Sequence, residues 1–280
     1  MSPESNDISV VMPVYNAEAF LEEAIESILD QNFTNFEFII VDDASTDNSS
    51  KIIQQYSRKD KRIIHLRNDN NLGIAETRTK GTKSAKGKYI AVADADDISI
   101  PTRFARQFEY LESHNDCGVV GGFLELFDSD TGKIIGVRKY HEDDARLRKK
   151  LFLYSPVAQP VSIIRSEVFD TLGYYDPKFP PAEDLDLWFR IGTKYKFANI
   201  QEILLKYRVN KQSATISEIQ KMEAMTLEIR KKYSHGYGYS MTLLDKVFNQ
   251  SLRMTGFVPY KIKLWIFNII RDKRNFGETA

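Results

Sequence analysis

A layered α/β protein, with a mostly parallel sheet flanked by helices and a helical C-terminal extension, is predicted by three observations. Through the first hundred residues, short apolar β-rich runs alternate with segments of helical periodicity. Three of those runs end in polar clusters: Tyr15-Asn16, Asp42-Asp43 and Asp94-Ala95-Asp96-Asp97. The 280 residues are 42% hydrophobic, enough for one sizeable core and an appendage. Alternation of this kind is satisfied by parallel strands joined through right-handed crossovers, and such sheets bind ligands beyond the carboxyl ends of their strands.

The elements follow in order. Residues 8–12 form the first strand, and Asn16 is placed to cap a helix carrying Phe20, Leu21, Ala24, Ile25, Ile28 and Leu29 on one face. Residues 36–41 are the second strand; the turn 44–47 opens a helix bearing Ile52, Ile53 and Tyr56. Residues 62–66 are the third strand, 72–85 the next helix, and 89–93 the fourth strand. Beyond it, 119–127 and 134–139 flank the turn Asp128-Ser129-Asp130-Thr131-Gly132 as a hairpin. A charged helix is expected over 142–153, a strand over 161–165 with a short helix to 172, and a helix over 183–195. Strands at 197–199 and 203–209 close the sheet. From about 215 the pattern is helical, over 216–233, 241–254 and 259–270, which divides the chain into domains 1–214 and 215–280.

Balanced charge, 39 basic against 39 acidic residues, gives no general attraction to nucleic acid. A single cysteine, Cys117, excludes a disulfide framework and a cysteine-rich zinc site. Neither a signal peptide nor a run of roughly 20 apolar residues is present, so a cytoplasmic protein is expected.

The strand ending at Asp94 crowds three carboxylates into four residues. Such crowding is unfavourable unless a cation relieves it, and Mg²⁺ takes one or two carboxylates with phosphate oxygens completing its shell. The second acidic cluster is Glu183-Asp184-Leu185-Asp186, at the start of a helix. Asp184 shares a helix face with Leu187, Trp188 and Ile191. The helix dipole accounts for Glu183 and Asp186 but not for a carboxylate on the apolar stripe. Asp184 is therefore the candidate general base.

These residues, taken together, resemble the family-2 glycosyltransferases, which have the GT-A fold. The elements that match, in order, are Ile8-Ser9-Val10-Val11-Met12-Pro13-Val14-Tyr15-Asn16, Ile39-Ile40-Val41-Asp42-Asp43-Ala44-Ser45-Thr46-Asp47, the stretch from Asn71-Leu72-Gly73 to Arg78, Asp94 to Asp97, and Glu183-Asp184. The resemblance implies that Pro13, Tyr15 and Asp43 form the pocket for the nucleotide base and ribose, that Asp94 reaches the ribose, and that Asp96 holds a divalent cation, Mn²⁺ or Mg²⁺. Asp97 is a neighbour that positions the loop. Arg78 either faces the nucleotide or is an exposed helix arginine. Asp184 is implied as the base that activates an acceptor hydroxyl. One position departs from the pattern: many relatives carry a histidine after the Tyr-Arg pair of the last strand, where this chain has Tyr207-Arg208-Val209-Asn210. An amide oxygen binds Mn²⁺ more weakly than imidazole, so the metal's identity is left open.

The implied activity is metal-dependent, inverting transfer of a hexosyl or N-acetylhexosaminyl group from a nucleotide-sugar, a UDP-sugar by resemblance, to a glycan or lipid-linked acceptor in surface polysaccharide or lipooligosaccharide synthesis. Two rivals stand beside it: a non-catalytic nucleotide-sugar-binding scaffold, and a sugar-phosphate nucleotidyltransferase. The latter calls for a glycine-rich phosphate loop where Pro13-Val14-Tyr15-Asn16 stands. The aromatic loop 173–181 either lines the acceptor site or packs inward. Residues 257–274 combine Trp265, Phe267 and isoleucines with Lys261, Lys263, Arg271, Lys273 and Arg274. They form either a helix lying on the inner face of the cell membrane or a terminal helix docked on the protein.

Overall fold

The computed structural model describes residues 6–210 and 219–254. Its centre is a mixed nine-stranded sheet in the order β3-β2-β1-β4-β8-β6-β9-β5, with β7 paired to β6. The parallel half comprises β1 (Ile8–Val14), β2 (Phe36–Asp42), β3 (Ile63–Arg67) and β4 (Tyr89–Val92). Three helices connect these strands: α1 (Leu21–Leu29), α2 (Ser49–Lys59) and α3 (Ile74–Ser84). The other half is mixed. β8 (Ile163–Arg165) runs antiparallel to β4 and to β6 (Cys117–Asp128), while β9 (Lys196–Val209) runs parallel to β6. β7 (Ile134–Arg138) pairs with β6 as the expected hairpin.

Side-chain parity along the strands sorts the core into two layers. Ile8, Val10, Met12 and Val14 of β1, with Phe36, Phe38 and Ile40 of β2, meet Leu21, Ala24, Ile25 and Ile28 of α1 and Ile53 of α2. Phe104 and Leu111 of α4 (Arg103–Ser113) join the same layer. On the opposite face, Val11, Ile90 and Val92 meet Val168 and Phe169 of α6 (Ser166–Leu172) and Leu185 to Phe189 of α7 (Glu183–Ile191). Ile229 and Tyr233 of α8 (Ile219–Tyr233) complete that layer, and α9 (Leu243–Met254) follows. The boundary placed at 214 and the helix expected over 259–270 lie outside the described residues. No helix among the described residues is long and apolar enough to cross a membrane.

Where the backbone of two elements closes in, glycine is required. A Cβ on Gly87, just before β4, would stand 2.5 Å from the Ser9 nitrogen and 2.7 Å from the Ile8 carbonyl carbon of β1. Backbone in a central strand cannot give way, so Gly87→Ala should lower stability by about 1–3 kcal/mol, read as a lower thermal midpoint.

Asn16 does not cap a helix: it has φ 50, its Oδ1 accepts the Thr46 N–H at 2.8 Å, and α1 begins only at Leu21. The helix expected over 142–153 is the single turn α5 (Asp144–Arg148), where Arg148 is anchored to the distant carbonyls of Gly192 and Tyr195. The helix over 183–195 stops at Ile191, and the strands at 197–199 and 203–209 are one strand, β9, whose register against β6 shifts between Gly121 and Phe123. Among the elements not anticipated are α4 and the short β5 (Ile98–Ser99) that pairs with β9.

Candidate active site

At the carboxyl end of β1 and β2, two loops clasp each other. Asn16 N–H donates to Ser45 Oγ at 3.1 Å, Ala17 N–H to Ser49 Oγ at 2.9 Å, and Glu18 N–H to Asp47 Oδ2 at 3.0 Å. Glu18 in return accepts from Asn48 N–H at 2.9 Å. Asn16 and Ala44 both hold positive φ, 50 and 58, a conformation that L residues adopt at an energetic cost and that concentrates at functional sites. Of the residues expected in the nucleotide pocket, Pro13 lies within β1 and is buried, whereas Tyr15 is 50% exposed at the rim. Asp43 is buried and engaged by the chain itself. Its Oδ1 accepts from Asn68 Nδ2 at 2.7 Å and Leu72 N–H at 2.9 Å, and its Oδ2 from Gly73 N–H at 2.9 Å. Asp43 thus shapes the loop leading into α3.

Helix α3 delivers Arg78, which is buried rather than exposed. Its Nη2 meets Asp94 Oδ1 at 2.9 Å and its Nη1 meets Glu183 Oε1 at 2.8 Å, while the guanidinium lies 5.5 Å from the centre of the Tyr175 ring. One side chain therefore ties the acidic loop after β4 to the first turn of α7. Below the loop, fully buried Arg103 of α4 donates from Nη2 to the Val92 carbonyl at 2.7 Å and from Nη1 to Ser99 Oγ at 3.0 Å, bracing both ends of residues 93–98.

The acidic groups on this frame are held at unusual proton affinities. Burial, then the neighbouring Asp94 charge, pushes Asp96 up to about 6. Burial followed by the Asp96 and Asp94 charges pushes Asp97 well above the carboxylate range, against the Arg208 N–H that it accepts at 2.9 Å. On α7, burial and then the Glu183 charge push Asp184 up to about 7. Asp94 raises both Asp96 and Asp184, so the two clusters lie within one electrostatic field. Glu183 and Asp186 are not surface residues answering a helix dipole: Glu183 is bound by Arg78, and Asp186 by Arg190, Lys232 and Tyr233. Asp184 is the acidic residue of this turn that keeps solvent access.

A divalent cation of the Mg²⁺ type needs oxygen donors, which the acidic loop supplies in part. Among the described residues no cluster of three or more His, Cys, Asp or Glu side chains stands ready to enclose one. Asp96 nevertheless fits a hard cation: it is a partly buried carboxylate next to Asp94, and Asp97 Oδ2 beside it is buried without a hydrogen-bond partner among the described residues. A cation that keeps one protein carboxylate and takes its other ligands from phosphate oxygens and water matches that arrangement. Asn210 follows directly on β9.

The loop 173–181 packs inward. Tyr175 and Phe179 are buried in the core, Tyr174 stacks on Phe169, and the Tyr175 hydroxyl accepts from Gln159 Nε2 at 3.0 Å. Glu183, Arg103 and Arg208 are site residues that sequence reasoning did not assign. For Arg208 the signal was the Tyr207-Arg208 pair itself.

The rim of loops at the carboxyl ends of the parallel half-sheet carries both acidic clusters, at the place where open α/β sheets bind their ligands. The chain belongs to glycosyl transferase family 2, whose family model matches residues 9–173. An uncharacterized glycosyltransferase of Methanocaldococcus jannaschii is 38% identical over 220 residues, covering 77% of this chain and 75% of the relative. Among solved structures, Staphylococcus aureus TarS 1–349 in complex with UDP-GlcNAc superposes with a TM-score of 0.69 at 18% identity, over 92% of this chain and 77% of that one. The mannosyltransferase PcManGT of Pyrobaculum calidifontis, in complex with GDP-Man and Mn²⁺, gives 0.65 at 16% identity, over 89% and 69%. The protein is a glycosyltransferase with a GT-A-like fold.

Proposed function

We propose that the protein is an inverting, metal-dependent glycosyltransferase that moves a hexosyl or N-acetylhexosaminyl group from a UDP-sugar to a glycan or lipid-linked acceptor of surface-glycan assembly. The observation that carries this reading is the Arg78 bridge, which joins the acidic loop of Asp94 and Asp96 to the turn of Asp184. The UDP-GlcNAc complex of TarS and the Mn²⁺ bound with GDP-Man in PcManGT support the donor and the cation.

Asp184 accepts the proton of the acceptor hydroxyl, whose oxygen forms the new bond to the anomeric carbon from the face opposite the diphosphate. The bond from that carbon to the phosphate oxygen breaks, and the nucleoside diphosphate leaves. The transition state has oxocarbenium character, and one base suffices, with no covalent intermediate. A divalent cation bound at Asp96 supplies neutralisation of the leaving diphosphate. Asp94, partly solvated and paired with Arg78, meets the ribose in this reading, with Pro13, Tyr15 and Asp43 framing the base end of the pocket.

The direct test is a panel of nucleotide-sugars with Mn²⁺ or Mg²⁺, read by thermal shift and by donor hydrolysis. A metal-dependent response to UDP-sugars is expected; silence across the whole panel rejects the proposal. Asp96→Ala should weaken metal-dependent UDP binding by about 10²-fold, the scale on which metal sites respond to lost support. Unchanged binding in a Mn²⁺ titration would remove Asp96 from the metal site.

A further inference from the structure

We infer that Arg208 is a positioning residue for the cation: its side chain fixes the Asp96 peptide, next to the Asp97 carboxylate that its main-chain N–H holds, so that the Asp96 carboxylate meets the metal already aimed. The inference rests on the proposed role of Asp96 and goes beyond it, since Arg208 touches neither sugar nor nucleotide in that reading.

The acidic loop leaves the sheet at β4 and returns to it at β5, where Ile98 pairs with Lys206 and Ser99 with Leu205 of β9. The far end of β9 then reaches back over the loop. Arg208 Nε donates to the Asp96 carbonyl at 2.8 Å, and Arg208 N–H donates to Asp97 Oδ1 at 2.9 Å. The third contact, from Nη2, is an ion pair with Glu23 of α1. The guanidinium is clamped on both sides: the Phe20 ring centre lies 4.4 Å away and the Phe127 ring centre 4.7 Å away. Only 7% of Arg208 is exposed. A planar, forked cation held between two rings has few other orientations, so the peptide it binds has few as well.

The chemistry of the contacts distinguishes this from an ordinary surface ion pair. A strut would need only Glu23, which is 57% exposed and worth little to stability by itself. Arg208 instead gives its side-chain Nε–H to the Asp96 carbonyl, while its main-chain N–H holds the carboxylate of the adjacent Asp97. Asp97 is held through Oδ1 alone, its Oδ2 being buried without a hydrogen-bond partner among the described residues. Local alignment of a ligand by its outer partners governs metal affinity by about 10–100-fold in metal sites generally.

The test is a Mn²⁺ titration of the full chain with UDP present, following the thermal midpoint, so that binding is read without turnover. Arg208→Met should raise the half-saturating Mn²⁺ concentration about tenfold or more, with Arg208→Lys in between, while UDP binding in EDTA stays at the parental level. Parental Mn²⁺ half-saturation in Arg208→Met, with only the ligand-free midpoint lowered, overturns the inference and leaves a structural strut. Should Arg208→Met not fold, Glu23→Gln decides. It keeps the guanidinium between its rings but loosens its outer end; a rise in half-saturating Mn²⁺ supports the inference and no change overturns it. Asp96→Asn separates the two levels. If it too titrates like the parent, the metal assignment fails; if it shifts and the Arg208 variants do not, only the positioning role fails.

Discussion

Asp184→Asn is expected to lower transfer by about 10²–10⁴-fold, the usual contribution of a general base, while leaving UDP binding near the parental value. The amide keeps the size of the side chain and can still accept the Leu185 N–H that Asp184 Oδ1 accepts at 2.8 Å, but it cannot take a proton. The pH profile carries the same information. With Asp184 pushed up to about 7 by burial and by Glu183, kcat/KM of the parent should climb through the range below pH 7 and level above it. The variant's residual activity should lack that rise. Stability moves the opposite way. The folded-state value lies above the unfolded 3.8, so the folded protein binds more protons than the unfolded one between about pH 4 and 7. Stability is therefore lost as pH rises through that window, and the ionised carboxylate is a burden above it. Partial solvent access reduces the effect to roughly 1–2 kcal/mol, or about 2–8 °C gained by Asp184→Asn at pH 8 and nothing at pH 4. Equal turnover by variant and parent would remove Asp184 as the base. A flat difference in thermal midpoint across pH would remove the burial argument.

Arg78→Met should be the most damaging single change to the fold of the site. Methionine fills much of the same volume, but it leaves Glu183, with a side chain only 5% exposed, without its ionic partner. Breaking a buried pair by removing one member costs about 3–5 kcal/mol, which corresponds to a fall of roughly 6–20 °C at pH 8. Burial already holds Glu183 above the ordinary carboxylate range, with the Arg78 charge opposing. Without that charge the folded-state value rises further, and the carboxyl is more easily protonated in the folded protein than in the unfolded one. The loss should therefore shrink as pH falls toward 5. Thermal unfolding at pH 5 and pH 8 checks both parts. A pH-independent loss would mean that the bridge acts through packing alone.

Strands β1, β2 and β4 were legible because they are buried on both faces and read as mostly apolar runs, and because each ends in a polar cluster at the same rim. Helix α4 was not, although Phe104, Phe108 and Leu111 have helical spacing, because Arg103 and Gln107 interrupt the apolar stripe with groups that read as surface and are in fact fully buried. The reverse error occurred at 142–153. There, charges and leucines mimic an amphipathic helix, yet Arg148 is held by carbonyls beyond the end of α7, contacts set by tertiary structure alone. In the site, Asp94, Asp96 and Asp184 could be named from their motifs. Their connection could not, because the Arg78–Glu183 pair spans 105 positions and sequence carries no measure of that distance. Glu183 and Asp186 were misjudged for the same reason: a local rule about helix ends explained them adequately until their distant partners were seen.

The clasp between the first two rim loops removes a freedom that open sheets often leave to the incoming molecule. Backbone amides on one loop are already answered by side chains of the other, so a guest arriving at this end orders little new chain. Its association is then governed by the quality of the contacts it makes rather than by the entropy of organising the host, and the receptor behaves as a mould cast before the guest is poured.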